Sequence, residues 1–178
     1  MEGFTSYSEL PQFYIDAVIS VEDYRFENHC GIDLIAIGRA MLTDIKKHSF
    51  IQGGSTITQQ LAKNMLFTQE KKLERKVAEV FAALELECNY SKEDIFELYV
   101  NTSYFGNGYY GVREAADGYF GKTFSELSEY ECAMLAGIPN APNAVNESTA
   151  RRVECVLESI VKNRIISQEQ AYNIEMEQ

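Results

Sequence analysis

"KKLERKVAEVFAALELECNYSKEDIFELYVN", residues 71–101, decides the fold class. From Lys71 to Cys88, apolar residues recur at three- and four-residue steps, at Leu73, Val77, Val80, Leu84 and Cys88. That is the spacing of one face of an α-helix. The other face carries Lys72, Arg75, Lys76 and Glu79, so the pattern predicts an apolar stripe turned inward and a charged stripe turned outward. Ser91 followed by Asp94 is a capping-box signature that opens a second helix, "KEDIFELYVN".

Outward from this stretch the helical period persists. Pro11 suits the first turn of a helix whose buried stripe is Tyr14, Val18 and Val21. A further helix starts near Asp33, with Leu34, Ile37, Met41 and Ile45 as its apolar face. Gly53-Gly54 demands a turn, and a helix follows from Thr56. Its polar face is Thr56, Gln59, Gln60 and Lys63, and its apolar face is Ile57, Leu61 and Met65. "YFGNGYYG" reads as a loop. Thr123/Glu126 and Ser128/Glu131 are further capping boxes, leading into "YECAMLAGIP", which stops at Gly137 and Pro139. A long helix from near residue 149 and a short one from near 167 close the chain. No convincing alternating strand appears, so the fold class is mainly α.

The 178 residues suffice for one domain or two small lobes with a real core. There is no internal repeat or low-complexity segment. A formal net charge of −11 excludes a general nucleic-acid binder. Lys63, Lys71, Lys72, Arg75 and Lys76 nevertheless cluster, which suggests a specific anion site; a solvated helix face is the plainer alternative. The cysteines at 30, 88, 132 and 155 form no CxxC pair and stand among apolar helical neighbours, so they are expected to be small buried hydrophobes. No apolar run of about eighteen residues and no signal peptide is present. The chain as given is therefore expected to be soluble, or to be a piece cut from a membrane-anchored parent.

Two regions carry chemistry. Glu22 and Asp23 end an apolar run, and Ile15, Val18 and Glu22 share one side of the helix. Burial there would raise the affinity of the carboxyl for its proton, as a general base near neutral pH requires. Capping or ion pairing at a helix end is the equal alternative. "GGSTITQQLAKN" sets two glycines and the hydroxyls of Ser55 and Thr56 before a helix start, a recipe for an anion cradle, with Lys63 on the same face. An ordinary N-cap by Ser55 or Thr56 is the alternative. In "KKLERKVAE", Arg75 and Glu79 are spaced for pairing, but base before acid is the poorer orientation, which favours phosphate as the reason for the stripe. In the aromatic and glycine-rich stretch from Ile95 to Lys122, core and turn packing stands ahead of sugar stacking. A base, a polar cleft and a pyrophosphate place point to glycosyl transfer from an activated sugar, or to glycoside cleavage by carboxylates.

"EDYRFENHCGID", "GGSTITQQLAKN", "RKVAE" and "FELYVN" resemble, in order and spacing, the motifs of the peptidoglycan glycosyltransferases, family 51. These are the transglycosylase domains of penicillin-binding proteins and their monofunctional relatives. "YFGK", "AMLAGIPNAPNA" and "ARRVECVL" are similar to later family blocks, so the resemblance spans about residues 10 to 165. It implies a single domain over residues 1–178, with a lysozyme-like head lobe and a smaller jaw lobe at about 34–72. It also implies polymerisation of lipid II into β-1,4-linked glycan with release of undecaprenyl pyrophosphate. Glu22 would be the catalytic base of this inverting hexosyltransferase, and Glu79 would assist beside the pyrophosphate. Ser55, Thr56, Gln59, Lys63, Lys71, Arg75 and Lys76 would line or support the donor side. Asp23, counted with them, would join Phe26 and His29 in holding the loop that presents Glu22.

The implied partners are lipid II, the growing glycan chain and the bacterial membrane surface, with no nucleic acid. The implied location is the outer face of the cytoplasmic membrane, through an anchor absent from this chain. No cofactor or metal is required, although magnesium is compatible with the pyrophosphate. A peptidoglycan-cleaving enzyme of lysozyme type and a non-catalytic lipid II-binding module are the competing readings. Lys71 stands where relatives commonly carry arginine, and Val145-Asn146-Glu147 replaces a usual Tyr-Asn-Pro. Few large apolar side chains are expected on the surface of the jaw segment, which predicts weak membrane docking.

Overall fold

The computed structural model describes residues 3–39, 54–66, 73–139 and 149–177. The helices in order are α1 (Gln12–Glu22), α2 (of which 34–39 are described), α3 (Ile57–Leu66), α4 (Leu73–Asn89) and α5 (Lys92–Thr102). They are followed by α6 (Val112–Phe120), α7 (Glu129–Gly137), α8 (Thr149–Lys162) and α9 (Gln168–Glu175). Short 3-10 turns occupy Tyr7–Glu9, Phe26–Asn28 and Phe124–Glu126. Among the described residues the extended pairing is one isolated bridge, Tyr104 with Tyr110. The chain divides into two compact units, residues 1–24 with 100–178, and residues 25–99.

The first unit is built on α7. Cys132, Ala133, Leu135, Ala136 and Gly137 are all buried, and within that run only Met134 is half-buried. Helix α1 packs on α7 and α8, and α7 on α8. Small residues allow the close approach: a Cβ at Gly137 would lie 3.3 Å from Val156 Cγ2 and 3.4 Å from Arg152 Cβ. Tyr14 of α1 meets Phe124 edge-on at 5.0 Å. Both expected capping boxes form, at Thr123/Glu126 and Ser128/Glu131. The "YFGNGYYG" loop is tight. Gly111 has φ +85°, and a Cβ there would lie 2.9 Å from the Asn101 carbonyl. The Asn101 side chain in turn clamps Thr5, accepting from its amide at 2.9 Å and donating to its carbonyl at 2.8 Å.

In the second unit α3 packs along α4. Ser91 caps the start of α5, its amide and hydroxyl donating to Asp94 at 3.0 and 2.6 Å. Ile95 and Phe96 of α5 are fully buried, and Phe96 stands 6.3 Å from Phe26.

Three expectations are corrected here. Helix α4 is turned over. Glu79 is 2% exposed and Ala83 fully buried, whereas Val77 is 52% and Phe81 67% exposed and Cys88 is also exposed. Its charged stripe reaches inward at Glu79, while its predicted apolar stripe is exposed at Val77 and Cys88 and half-buried at Val80 and Leu84. The period was right, but the polarity of a helix does not name its inner face when the interior holds paired charge. Second, large apolar side chains do reach the surface of this unit: Leu34 at 76%, with Ile35, Met65 and Leu66 also exposed. Leu34 and Met65 therefore leave the apolar stripes assigned to them. Third, Cys30, Cys88 and Cys155 are exposed, and only Cys132 is a buried hydrophobe. Met41, Ile45, Gly53, Lys71, Lys72 and the block at 141–147 lie outside the described residues.

The thiols should separate accordingly. Burial first, and then the charges of Glu131 and Glu129, push Cys132 up to about 12. An aromatic disulfide reagent at mildly alkaline pH should titrate three thiols in the folded chain and four in denaturant. A fourth equivalent from the folded chain would contradict this packing.

Candidate active site

Helix α1 ends on Glu22. The side chain is half-buried, and its Oε1 is shielded from solvent. A carboxylate on the last residue lies at the negative end of the helix, which helix stability alone would not select. Asp23 follows as the C-cap, buried, with φ −159° and ψ 72°; its amide donates to the Ile19 carbonyl at 3.0 Å. The Ser20 carbonyl accepts from Asn163 Nδ2 at 3.5 Å, tying this end of α1 to the residue after α8. Within the helix, burial holds the Tyr14 hydroxyl well above its ordinary range, with smaller contributions from the charges of Cys132 and Glu22.

The loop after Glu22 belongs to the second unit and is closed on itself. Arg25 Nε meets Asp33 Oδ2 at 3.0 Å, and Asp33 Oδ1 caps α2 by accepting the amides of Ile35 and Ala36 at 2.9 and 3.0 Å. Burial of Asp33 favours the protonated form. The amides of Ala36 and Ile35, then the charges of Arg25 and His29, overcome it and hold the carboxyl below its ordinary value. The Gly31 amide donates to His29 Nδ1 at 3.1 Å. Gly31 has φ +88°, and a Cβ there would lie 2.8 Å from the Ala83 carbonyl. Only glycine lets this loop lie against α4.

The segment from Gly54 leads into α3 through a reciprocal cap. The Thr56 amide donates to Gln59 Oε1 and the Gln59 amide to Thr56 Oγ1, both at 3.1 Å. The Thr56 hydroxyl then donates to the Gly31 carbonyl at 2.7 Å. Both side chains are about 2% exposed. Two amides that an anion cradle would offer are thus already taken, and Thr56 and Gln59 fix the entry to α3 from within.

Beside it lies a charge cluster. Arg75 Nε stands 2.8 Å from Glu79 Oε1, and Lys76 Nζ stands 3.2 Å from Glu79 Oε2. Lys76 Nζ also donates to Ser55 Oγ at 2.7 Å. The pairing that the sequence favoured less is therefore present, and Glu79 is an inward anion held by two cations. The cluster keeps one net positive charge, and the Lys76 side chain is 45% exposed, so it can meet a further anion. Lys63 is exposed on α3, and Lys71 lies outside the described residues. Among the described residues, no group of three or more His, Cys, Asp or Glu side chains is placed to hold a metal ion. Glu79 already answers two cations, so the described residues do not fit a divalent ion held by protein ligands alone. Arg25 and Ala83 escaped the sequence reading; Arg25 lies inside the motif that carries Glu22 and Gly31, and Ala83 left no signal.

Residues 2–161 match the family model described as Transglycosylase. The chain belongs to the transglycosylase family. It is 42% identical over 172 residues to penicillin-binding protein 1A of Aquifex aeolicus, a match covering 94% of this chain and 24% of that protein. It is 47% identical over 138 residues to penicillin-binding protein 1F of Bacillus subtilis, covering 78% of this chain and 19% of that protein. The crystal structure of penicillin-binding protein 1A from Haemophilus influenzae superposes with a TM-score of 0.57 at 22% identity, over 98% of this chain and 17% of that one. The mainly α fold is that of a transglycosylase domain. The chain spans about a quarter or less of the length of these relatives.

Two outcomes follow for this transglycosylase. Glu79→Ala removes the buried carboxylate that Arg75 and Lys76 share, but these side chains are 20% and 45% exposed, so it should cost about 1–3 kcal/mol in urea unfolding, with Glu79→Gln milder. A loss below about 1 kcal/mol would mean that the cluster is not held as described. Asp33, with its folded value lowered, contributes stability that is complete above its unfolded value of about 4 and is lost as pH falls through the folded value. Asp33→Asn should be less stable at pH 7 and should lose part of the acid sensitivity; parallel pH–stability curves for variant and wild type would refute it.

Proposed function

We propose that this transglycosylase domain polymerises lipid II into β-1,4-linked glycan with inversion at the anomeric carbon. The observation that carries the reading is the Ser55–Lys76–Glu79–Arg75 cluster, a net-positive site on α4 beside the segment that enters α3. A glycoside-cleaving enzyme has no use for such a site. A transferase that expels pyrophosphate must stabilise charge that grows on the leaving group.

In this mechanism Glu22 removes the proton from the 4-hydroxyl of the acceptor sugar. The freed oxygen attacks the anomeric carbon of the donor chain. The bond to the undecaprenyl pyrophosphate breaks with its electron pair leaving on phosphate, and the new glycosidic bond forms on the opposite face. Glu22 later gives its proton to solvent. Arg75 and Lys76 neutralise the departing pyrophosphate, and Glu79 holds both cations in place before it arrives. Ser55, oriented by Lys76, donates from the turn. Lys63 and Lys71 extend the positive surface, Thr56 and Gln59 fix the turn, and Asp23 fixes the backbone after Glu22. No step is routed through a metal.

The membrane surface is the proposed partner that delivers the lipid-linked substrates, on the outer face of the bacterial cytoplasmic membrane. The exposed Leu34, Ile35, Met65, Leu66, Val77 and Phe81, all in the second unit, support this. Among the described residues no helix is long and apolar enough to cross a membrane.

The test is incubation of the chain with lipid II in detergent, with glycan products resolved on a gel. The wild type should give ladders, and Glu22→Gln should lower the rate by about 10²–10⁴-fold while leaving the unfolding midpoint unchanged. Ladders from the variant at the wild-type rate would remove Glu22 as the base. Shortening of preformed glycan without polymer would replace the transferase by a hydrolase.

A further inference from the structure

One groove of the first unit has no role in the proposed reaction. It holds about 760 Å³ and lies between the 3-10 turn Tyr7–Glu9, helix α6 and the 3-10 turn Phe124–Glu126. Its charged lining is Glu9, Glu114, Asp117 and Glu126 against Arg113 and Lys122. Both cations are already engaged. Arg113 Nη2 donates to the Phe4 carbonyl at 3.2 Å and meets Glu9 Oε1 at 3.4 Å. Lys122 Nζ donates to both carboxylate oxygens of Glu131, at 2.7 and 2.9 Å, and is the weakest of the influences on Glu126. Glu114, Asp117 and Glu126 therefore make no ion pair among the described residues. Hydrogen bonds from the Ser6 amide and hydroxyl hold the Glu9 carboxyl below its ordinary value, and those from the Thr123 hydroxyl and amide do the same for Glu126, so both are anions at neutral pH.

Thr5 sets this groove apart from a merely acidic surface. It is 1% exposed, the most buried residue of the lining. Its Oγ1 has no hydrogen-bond partner among the described residues. A hydroxyl shut away from water without a partner costs stability. The backbone of Thr5 is by contrast satisfied, because the Asn101 side chain takes both its amide and its carbonyl.

The charge and shape of the lining limit the occupant. Uncompensated carboxylates call for a cation. Among the described residues no three acidic, histidine or cysteine side chains are placed to hold one metal ion, so the acids do not converge on a single atom. A cation that answers them all is extended, with charges at intervals along its length. Glu114 and Asp117, three residues apart, share one face of α6, and Glu126 stands on the turn that follows. Phe124, 8% exposed, offers an apolar surface for methylene spacers. A peptide strand finds little backbone to pair with. The amides of Ser6 and Thr123 donate to the Glu9 and Glu126 side chains, and the amides of Glu9 and Glu126 to the Ser6 and Thr123 carbonyls. Recognition falls to side chains. We infer that this groove is a binding site for a short linear polyamine, its ammonium groups answering Glu114, Asp117 and Glu126 and one N–H donating to Thr5 Oγ1.

The test is calorimetric titration of the chain with spermidine at about 0.15 M salt, where exposed charges more than about 8 Å apart are largely screened. One saturable site should appear. Asp117→Asn with Glu126→Gln should weaken it about fivefold or more. Thr5→Val keeps the shape and removes the unpartnered hydroxyl. It should weaken binding by about the same factor and leave the unfolding midpoint unchanged or higher. Glu154→Gln with Glu158→Gln removes the same charge from exposed positions of α8 and should leave binding within about twofold of wild type. A control variant weakened as much as the Asp117 variant would mean general attraction to an acidic chain and overturns the site. So does a titration without saturation, or a Thr5→Val variant that binds like wild type. A trilysine peptide that saturates the chain where spermidine does not would replace the polyamine by a basic protein segment. Glycan synthesis plays no part in this titration, so its outcome leaves the transferase reading untouched.

Discussion

Glu79 is the constraint on which the second unit turns. A carboxylate 2% exposed is tolerable only with its charge answered, and Arg75 and Lys76 answer it from the preceding turn of the same helix. That requirement fixes which side of α4 faces inward. It brings Lys76 to Ser55 and so sets α3 and its glycine-rich entry against α4. It also sends Val77 and Phe81 outward. A single buried anion therefore determines both the polar interior and the apolar exterior of this unit.

The first unit follows the ordinary logic of apolar packing. Tyr14, Ala17, Val18, Leu135, Ala136, Val153, Val156 and Ile160 are buried where helices α1, α7 and α8 meet. Nothing in that core needs a charge. The end of α1 is the exception, where the apolar stripe runs out into Glu22 and Asp23. The division of labour is chemical: one unit holds a carboxyl at a helix end, and the other holds paired cations.

The sequence showed the fold class because helical period and capping boxes are local. Ser91/Asp94, Thr123/Glu126 and Ser128/Glu131 each close where their spacing predicts. It singled out Glu22 because an acid that interrupts an apolar stripe is a local anomaly. It misled at α4 because amphipathic reasoning assumes that water lies on the polar side. It misled at Cys30, Cys88 and Cys155 because apolar neighbours in sequence are not neighbours in space. Thr56 and Gln59 had the spacing of a capping box, but their place in a line of polar residues favoured a ligand-facing role. Arg25 with Asp33, and Lys92 with His29, Glu87 and Phe26, have no signature at all. They meet only after the chain has folded back on itself.

The inversion of α4 has a practical consequence. This helix turns Val77 and Phe81 to the outside between the exposed Glu74 and Glu85, an apolar patch that bulk water does not favour. Away from a lipid or detergent phase, that surface is available to a second copy of itself. Concentrated preparations should therefore behave as colloids, with scattering that depends on the amphiphile in the buffer more than on salt. Polar side chains at Val77 and Phe81 would then quiet the solution without touching the packed interior.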